Sequence, residues 1–193
     1  MNNSSLRENL KSTAACLLKK LLACVIFVAI CTILAGAYGA LNDQVTYSIS
    51  PEYYTELKFE QFKLDREIVE NAPRLAAAIV GIKATWWMGA ILSAILALFG
   101  LMQDGCKRML ETLTKAALIV LFFAMALSAS AFFSSTSSET SRSAEEGFAL
   151  VKHMHNRTYE GGAIGAIAAI LYLIVARNFD DAKRTSSKQE ILK

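Results

Sequence analysis

The sequence predicts an all-α integral membrane protein: a four-transmembrane-helix bundle with a small extracytoplasmic cap made of one short strand and amphipathic helices. Hydrophobic residues make up 54% of the 193 residues and charged residues 19%, whereas soluble domains carry roughly 25% charged residues. The charged residues also cluster in polar stretches that are separated by long runs without any charge. Runs of about 20 apolar residues match the hydrocarbon thickness of a bilayer, so this pattern favours membrane spans.

Four runs without charged residues set the predicted boundaries of the transmembrane helices. They are residues 21–41, 84–102, 116–133 and 161–176. Every backbone amide in hydrocarbon needs a partner within the chain, so each run is expected to be helical. The fourth run is short for a bilayer and spans it only with some local thinning. The segments beside and between these helices are residues 1–20, 42–83, 103–115, 134–160 and 177–193.

The distribution of lysine and arginine predicts the orientation of the chain. Twelve of the 20 basic residues lie in residues 1–20, 103–115 and 177–193. The longer segments 42–83 and 134–160 hold the other eight, together with eleven of the 17 acidic residues. Because cytoplasmic segments are enriched in Lys and Arg, both termini are expected in the cytoplasm. The compact loops and this bias favour a bacterial inner (plasma) membrane.

The first apolar run has an alternative interpretation as a cleaved signal peptide. A basic leader precedes the run, and Ala35, Gly36 and Ala37 resemble a small-residue cleavage site. The run is longer than the usual apolar core of a signal peptide, so an uncleaved helix is the favoured interpretation. Cleavage would leave three spans and a mature protein that begins near Tyr38.

The first outer segment is expected to carry most of the cap. Residues 44–50 alternate between polar and apolar side chains, which predicts a short strand. Ser50 followed by Pro51 is typical of a helix N-terminus, because serine caps the helix and proline suits its first position. The apolar spacing in residues 52–70 predicts one amphipathic helix on the membrane or bundle surface. Asn71 is expected to cap the second spanning helix.

The second outer segment begins with a Ser/Thr-rich link over residues 134–143. Ser143 and Glu146 have the spacing of a capping box, which predicts a helix that starts there. That helix either continues into the fourth span or breaks at the adjacent glycines Gly161 and Gly162.

The two histidines of the chain, His153 and His155, lie just before the fourth span, and Glu160 follows them. Neutral imidazole and carboxylate groups bind divalent metals, so these three residues form a candidate metal site. Side chains two residues apart on a helix point in nearly opposite directions. Both histidines therefore bind one metal only if the backbone is extended or broken. The alternative is a polar cluster that fixes the last helix against the other outer segment.

Small residues indicate where helices approach each other closely. Gly161 and Gly165 have GxxxG spacing, and Gly89 begins a row of small residues along the second span. Packing within one bundle explains such rows, and homo-oligomerisation is the alternative.

Lys83, Trp86 and Trp87 stand at the entrance of the second span. Tryptophan rings are enriched at the membrane–water interface, and lysine extends its ammonium group towards the headgroups. The three residues are therefore expected to mark the outer interface of the membrane, and an aromatic substrate pocket is the alternative.

The sequence predicts a non-enzymatic interaction or accessory subunit, because the outer segments are aromatic and the spans carry packing glycines but no central charges. The expected partners are the lipid bilayer and a membrane protein or a second copy. Proton-coupled transport typically needs intramembrane charges, which these runs lack, and the basic tails are too dilute for a nucleic-acid module. No cofactor is expected apart from a possible divalent metal. The alternatives are a metal-binding protein or metal-dependent enzyme, and an oligomeric pore or carrier.

Overall fold

The computed structural model describes residues 3–135 and 143–191, and within these ranges every regular element is helical. Four long helices are α1 (Asn3–Ile49), α5 (Pro73–Gly100), α6 (Gly105–Ser134) and α7 (Ala144–Ile191). Each of them contains a stretch that is long and apolar enough to cross a membrane, which confirms the predicted four-helix architecture. Most of the Ser/Thr-rich link, residues 136–142, lies outside the described residues.

Residues 50–72, which we call the cap segment, connect α1 to α5. They form α2 (Pro51–Tyr53), a π-helical turn (Tyr54–Lys58), α3 (Phe59–Gln61) and α4 (Arg66–Asn71). As predicted, Ser50 caps the first of these, and its Oγ accepts a hydrogen bond from the amide of Tyr53 at 3.3 Å. The single helix predicted for residues 52–70 is wrong, because Lys63 has a φ of +50° and this left-handed backbone interrupts the helix.

The strand predicted for residues 44–50 is also wrong, because α1 continues as a helix to Ile49. The buried residues in and just before this stretch are Asp43, Thr46 and Ser50, which are spaced three and four apart. This spacing matches the period of a helix, but the residues that follow it are polar. The periodicity of the apolar residues therefore does not predict this buried face.

Two other helix starts differ in how well the sequence predicted them. The capping box at the start of α7 is formed in both directions, since the Ser143 amide donates to Glu146 and the Glu146 amide donates to the Ser143 hydroxyl. Helix α5 begins at Pro73 with Ala72 at its N-cap position and no side-chain cap, so the cap predicted at Asn71 is wrong.

The four long helices form two antiparallel hairpins, since α1 packs mainly on α5 and α6 mainly on α7. In the first hairpin Gly39 and Gly81 face each other so closely that a Cβ on either would collide with the carbonyl oxygen of the other. Gly89 lies against Ala35 in the same interface. The absence of side chains here lets the two backbones touch.

In the second hairpin the close approach is made by α7 glycines. A Cβ on Gly161 would collide with the carbonyl oxygen of Phe123, and one on Gly165 would lie 2.8 Å from the Cα of Val120. Each glycine thus packs against the backbone of α6. Helix α7 runs without a break through Gly161 and Gly162.

Two apolar clusters join the hairpins near their ends. We call the end of the bundle that contains the α5–α6 loop the loop end. The cluster there contains residues from all four long helices. Its members are Cys24, Phe27, Leu96, Ala97, Met109, Leu113, Ala116, Ala169 and Leu173. The cluster at the opposite end, called the cap end, consists of Tyr53, Tyr54, Phe59, Ala76, Ala77, Val80 and Val151.

Polar contacts fix the α5–α6 loop at the loop end. The ammonium group of Lys20 donates to the carbonyl oxygen of Gln103 at 2.6 Å, and the Gln103 side chain donates to the carbonyl oxygen of Leu173 at 2.9 Å. The carboxylate of Asp104 pairs with the guanidinium groups of Arg177 and Arg184 at 2.8 and 2.9 Å. These contacts connect the loop to both α1 and α7.

We expect the ion pairs of Asp104 to make the stability of the loop end depend on acid pH. The hydrogen bond from Arg177, together with the charges of Arg177 and Arg184, lowers the pKa of Asp104 below its usual value. A lowered pKa in the folded state stabilises the protein above about pH 4, and this stabilisation is lost as the pH falls below that value.

The measurement is the unfolding temperature of detergent-purified protein between about pH 7 and pH 3, wild type beside Asp104→Asn. Because Asp104 is partly exposed, its protonation at acid pH should lower the unfolding temperature by at most about 4 °C. A wild-type curve parallel to that of the variant would contradict the prediction.

Candidate functional site

The polar cluster at the cap end contains a buried carboxylate and a buried imidazole. Asp43 on α1 is 3% exposed, and His155 on α7 is 9% exposed. The Nε2 of His155 lies 3.1 Å from Oδ1 of Asp43, although the two residues are 112 positions apart in the sequence. The pair therefore connects the last helix of one hairpin to the first helix of the other.

The pair lies at the far boundary of the apolar region. On α1, 23 residues separate Asp43 from Lys20, a rise of about 35 Å along a helix. On α7, 22 residues separate His155 from Arg177, a rise of about 33 Å. Both values slightly exceed the roughly 30 Å of hydrocarbon in a bilayer. The two residues thus meet at the same depth, beneath the cap segment.

Both ring nitrogens of His155 have a partner. The Nδ1 lies 2.9 Å from the carbonyl oxygen of Val151 one turn earlier in α7. A carbonyl oxygen only accepts, so Nδ1 must carry a hydrogen and donate it. The other nitrogen, Nε2, faces Asp43. In this arrangement neither nitrogen is free to bind a metal or to take a proton from a substrate.

Two tyrosines of the cap segment close the site. Tyr54 is fully buried, and its hydroxyl lies 2.6 Å from the hydroxyl of Thr46 on α1. The ring of Tyr53 stacks in a tilted orientation 5.3 Å from the ring of His155. Burial, with a contribution from the charge of Asp43, raises the pKa of Tyr53 to about 12 and raises that of Tyr54 as well. Both phenols are therefore protonated at neutral pH, and the Tyr54–Thr46 hydrogen bond persists.

Lys58, at the end of the π-helical turn, lies on the outer side of this cluster. Its ammonium group is 5.5 Å from the ring centre of Tyr53 and 5.6 Å from that of Phe62, and it donates to the side-chain oxygen of Gln61 at 3.1 Å. Burial lowers the pKa of Lys58. Lys83 on α5 approaches the same place, since its ammonium group donates to the carbonyl oxygen of Phe62 at 3.2 Å.

The structure does not bring the predicted metal ligands together. His153 is exposed, whereas His155 is buried against Asp43, because α7 is an unbroken helix and residues two apart point in nearly opposite directions. Glu160 pairs with Arg157 on the surface of the same helix. In residues 3–135 and 143–191, no three His, Cys, Asp or Glu side chains are grouped so that they could hold a metal ion.

The residues predicted for the membrane interface lie on the outside of α5. Trp86 and Trp87 are 50% and 42% exposed, and Lys83 is exposed one turn closer to the cap segment. The alternative of an aromatic substrate pocket has no support in this position, because both side chains are about half exposed on the surface of the helix.

Asp43 is the residue of the site that the sequence analysis missed. The outer carboxylates considered as neighbours of the histidines were glutamates. A usable signal was present, because Asp43 lies two residues after the first apolar run and His155 lies six residues before the fourth. Charged residues just beyond the ends of neighbouring spans lie at similar depth and can meet.

No protein-family model, no curated protein and no solved structure matches this chain.

Proposed function

We propose that this chain is a membrane-integral interaction or accessory subunit without catalytic activity. It has four spans in a bacterial inner membrane, and both termini lie on the cytoplasmic side. The observation that carries the proposal is the burial of the polar groups at the cap end. Asp43 pairs with His155, the hydroxyl of Thr46 pairs with that of Tyr54, and all four residues are buried at the cap end, where Oδ2 of Asp43 has no hydrogen-bond partner among the described residues. A catalytic site presents such groups to a cavity, whereas here they hold a folded outer surface in place.

The outer faces of the long helices support the membrane part of the proposal. Large apolar side chains are exposed along each of them, among them Leu22, Leu98, Phe122 and Ile167. A soluble monomer rarely exposes such continuous apolar surface, and lipid chains cover it without loss of free energy. The charge bias of the connecting segments supports the orientation.

The packing of α1 supports an uncleaved first helix. The hydroxyl of Thr85 on α5 donates to the carbonyl oxygen of Ala35 at 2.8 Å, and Gly89 packs on the same residue. Cleavage near Tyr38 would remove this part of the first hairpin. A subunit that keeps α1 also keeps its basic N-terminal segment on the cytoplasmic side.

The proposal predicts that the cap segment contacts another polypeptide in native membranes. A photo-crosslinking amino acid at Leu57, which is 38% exposed on the cap segment, should give one adduct of defined mass. The same amino acid at Lys19, which is exposed near the loop end, serves as the matched control and should not give that adduct. A purified protein that is strictly monomeric, with no reproducible Leu57 adduct in native membranes, would overturn the proposal.

A further inference from the structure

Two lysines from different elements converge on one residue of the cap segment. The ammonium group of Lys58 lies over the ring of Phe62, and that of Lys83 donates to the carbonyl oxygen of Phe62. Lys58 comes from the π-helical turn and Lys83 from α5, so the fold and not the sequence brings them together. The result is a small cationic patch where the cap segment meets the second long helix.

No carboxylate neutralises this patch. Within the described part of the chain, neither ammonium group is within 4.0 Å of an acidic side chain. Asp43 interacts electrostatically with Lys58 from a longer distance, and it already pairs with His155. Lys58 has also lost part of its hydration by burial, and two aromatic rings only partly replace water around an ammonium group. An external anion would supply the missing charge.

Apolar and aromatic surface lies directly below the patch. Trp86 and Trp87 follow Lys83 by three and four residues, so they lie on the same face of α5 one turn further from the cap segment. Ile82, which is 45% exposed, extends this surface. A ligand that fits both parts has an anionic head and an apolar tail.

We propose that Lys58 and Lys83 bind the phosphate group of an anionic phospholipid whose acyl chains lie against Trp86 and Trp87. Lysine binds phosphate as a point charge, and tryptophan favours the boundary between headgroups and acyl chains. This inference rests on the membrane placement proposed above, which puts the site in the outer leaflet. Free inorganic phosphate would satisfy the lysines but would leave both indole rings uncovered.

The chain is well suited to a test because it contains only two tryptophans, and both lie at this site. Full-length protein is reconstituted in phosphatidylcholine vesicles, and a small share of the lipid is replaced by a version brominated near the top of its acyl chains. Bromine quenches tryptophan fluorescence only in close contact. The quenching by brominated phosphatidylglycerol is compared with that by brominated phosphatidylcholine at equal mole fraction.

We expect brominated phosphatidylglycerol to quench the tryptophan fluorescence of the wild type more than its mole fraction alone would explain. Each lysine should enrich this lipid at the site about five-fold. Lys58→Gln/Lys83→Gln should reduce this quenching to the level of phosphatidylcholine, and Lys58→Arg/Lys83→Arg should restore it. Lys152→Gln is the matched control, because Lys152 is an exposed lysine near the cap end that lies on α7 and should leave the enrichment unchanged. The arginine variant and the control separate loss of binding from loss of folding.

This experiment distinguishes failure of the phospholipid-site proposal from failure of the proposed membrane placement. Equal quenching of the wild type by both brominated lipids would keep the membrane placement and overturn the phospholipid site. No quenching by either lipid would show that Trp86 and Trp87 are outside the bilayer, which would overturn the membrane placement itself. Enrichment that is abolished by excess inorganic phosphate would assign the site to free phosphate and would also overturn the lipid proposal.

Discussion

His155→Leu is expected to lower the free energy of unfolding by about 1–3 kcal/mol, the cost of leaving a buried hydrogen-bond acceptor without its partner. Leucine fills a volume close to that of histidine but offers no hydrogen bond. Asp43 would then remain buried beneath the cap segment without its imidazole partner. Either a carboxylate stays unpaired in an apolar environment or it takes up a proton, and both outcomes reduce stability.

The measurement is unfolding of detergent-purified protein, followed by the loss of helical circular dichroism in a denaturant titration. His153→Leu is the matched control, since His153 is exposed on the same helix and its replacement should change stability by no more than about 0.5 kcal/mol. Asp43→Asn/His155→Leu removes the unpaired charge and should lose less stability than His155→Leu alone. Equal effects of the two histidine substitutions would show that the pair contributes nothing.

Gly161→Ala is expected to destabilise the protein by about 1–3 kcal/mol through overpacking, although alanine is a better helix former than glycine. The added methyl group would collide with the carbonyl oxygen of Phe123 and would lie 2.8 Å from the Cα of Ala124. Both contacts are with the backbone of α6, which cannot move aside as a flexible side chain can. The two helices of the second hairpin would have to separate.

Gly162→Ala provides the control for this substitution, one position along the same helix. A Cβ on Gly162 meets nothing within 4 Å, so alanine there should be neutral or should stabilise α7 by up to about 1 kcal/mol. The two variants are compared in the same denaturant titration. If both variants are equally stable, then the close approach of α6 and α7 does not limit the packing of this hairpin.

The sequence was sufficient to predict the long helices, because a run of apolar residues without charges has few other structures available. It was also sufficient for the helix starts at Ser50 and Ser143, since capping depends on residues that are adjacent in the chain. It failed at residues 44–50, where three alternating apolar residues suggested a strand. The buried face there is polar, and burial of a polar residue depends on a partner elsewhere in the fold.

The same limitation applies to the candidate site. The pattern of His153 and His155 indicated a special function for this part of α7, but it could not choose between a metal and a structural partner. The choice is made by Asp43, which is distant in sequence and reaches His155 only through the packing of the two hairpins. Likewise, Lys58 comes near Lys83 only because the cap segment packs against α5, where the Lys83 ammonium group donates to the carbonyl oxygen of Phe62.

The pairing of sequence neighbours into hairpins has a consequence for biosynthesis. Both halves of the Gly39–Gly81 contact are present once the ribosome has released the first hundred or so residues, so the first hairpin can form before α6 is made. The second hairpin can follow in the same way. The Asp43–His155 pair, in contrast, needs a residue from the first helix and one from the last. The pair can therefore form only after α7 has been made, and it then holds the two hairpins together beneath the cap segment.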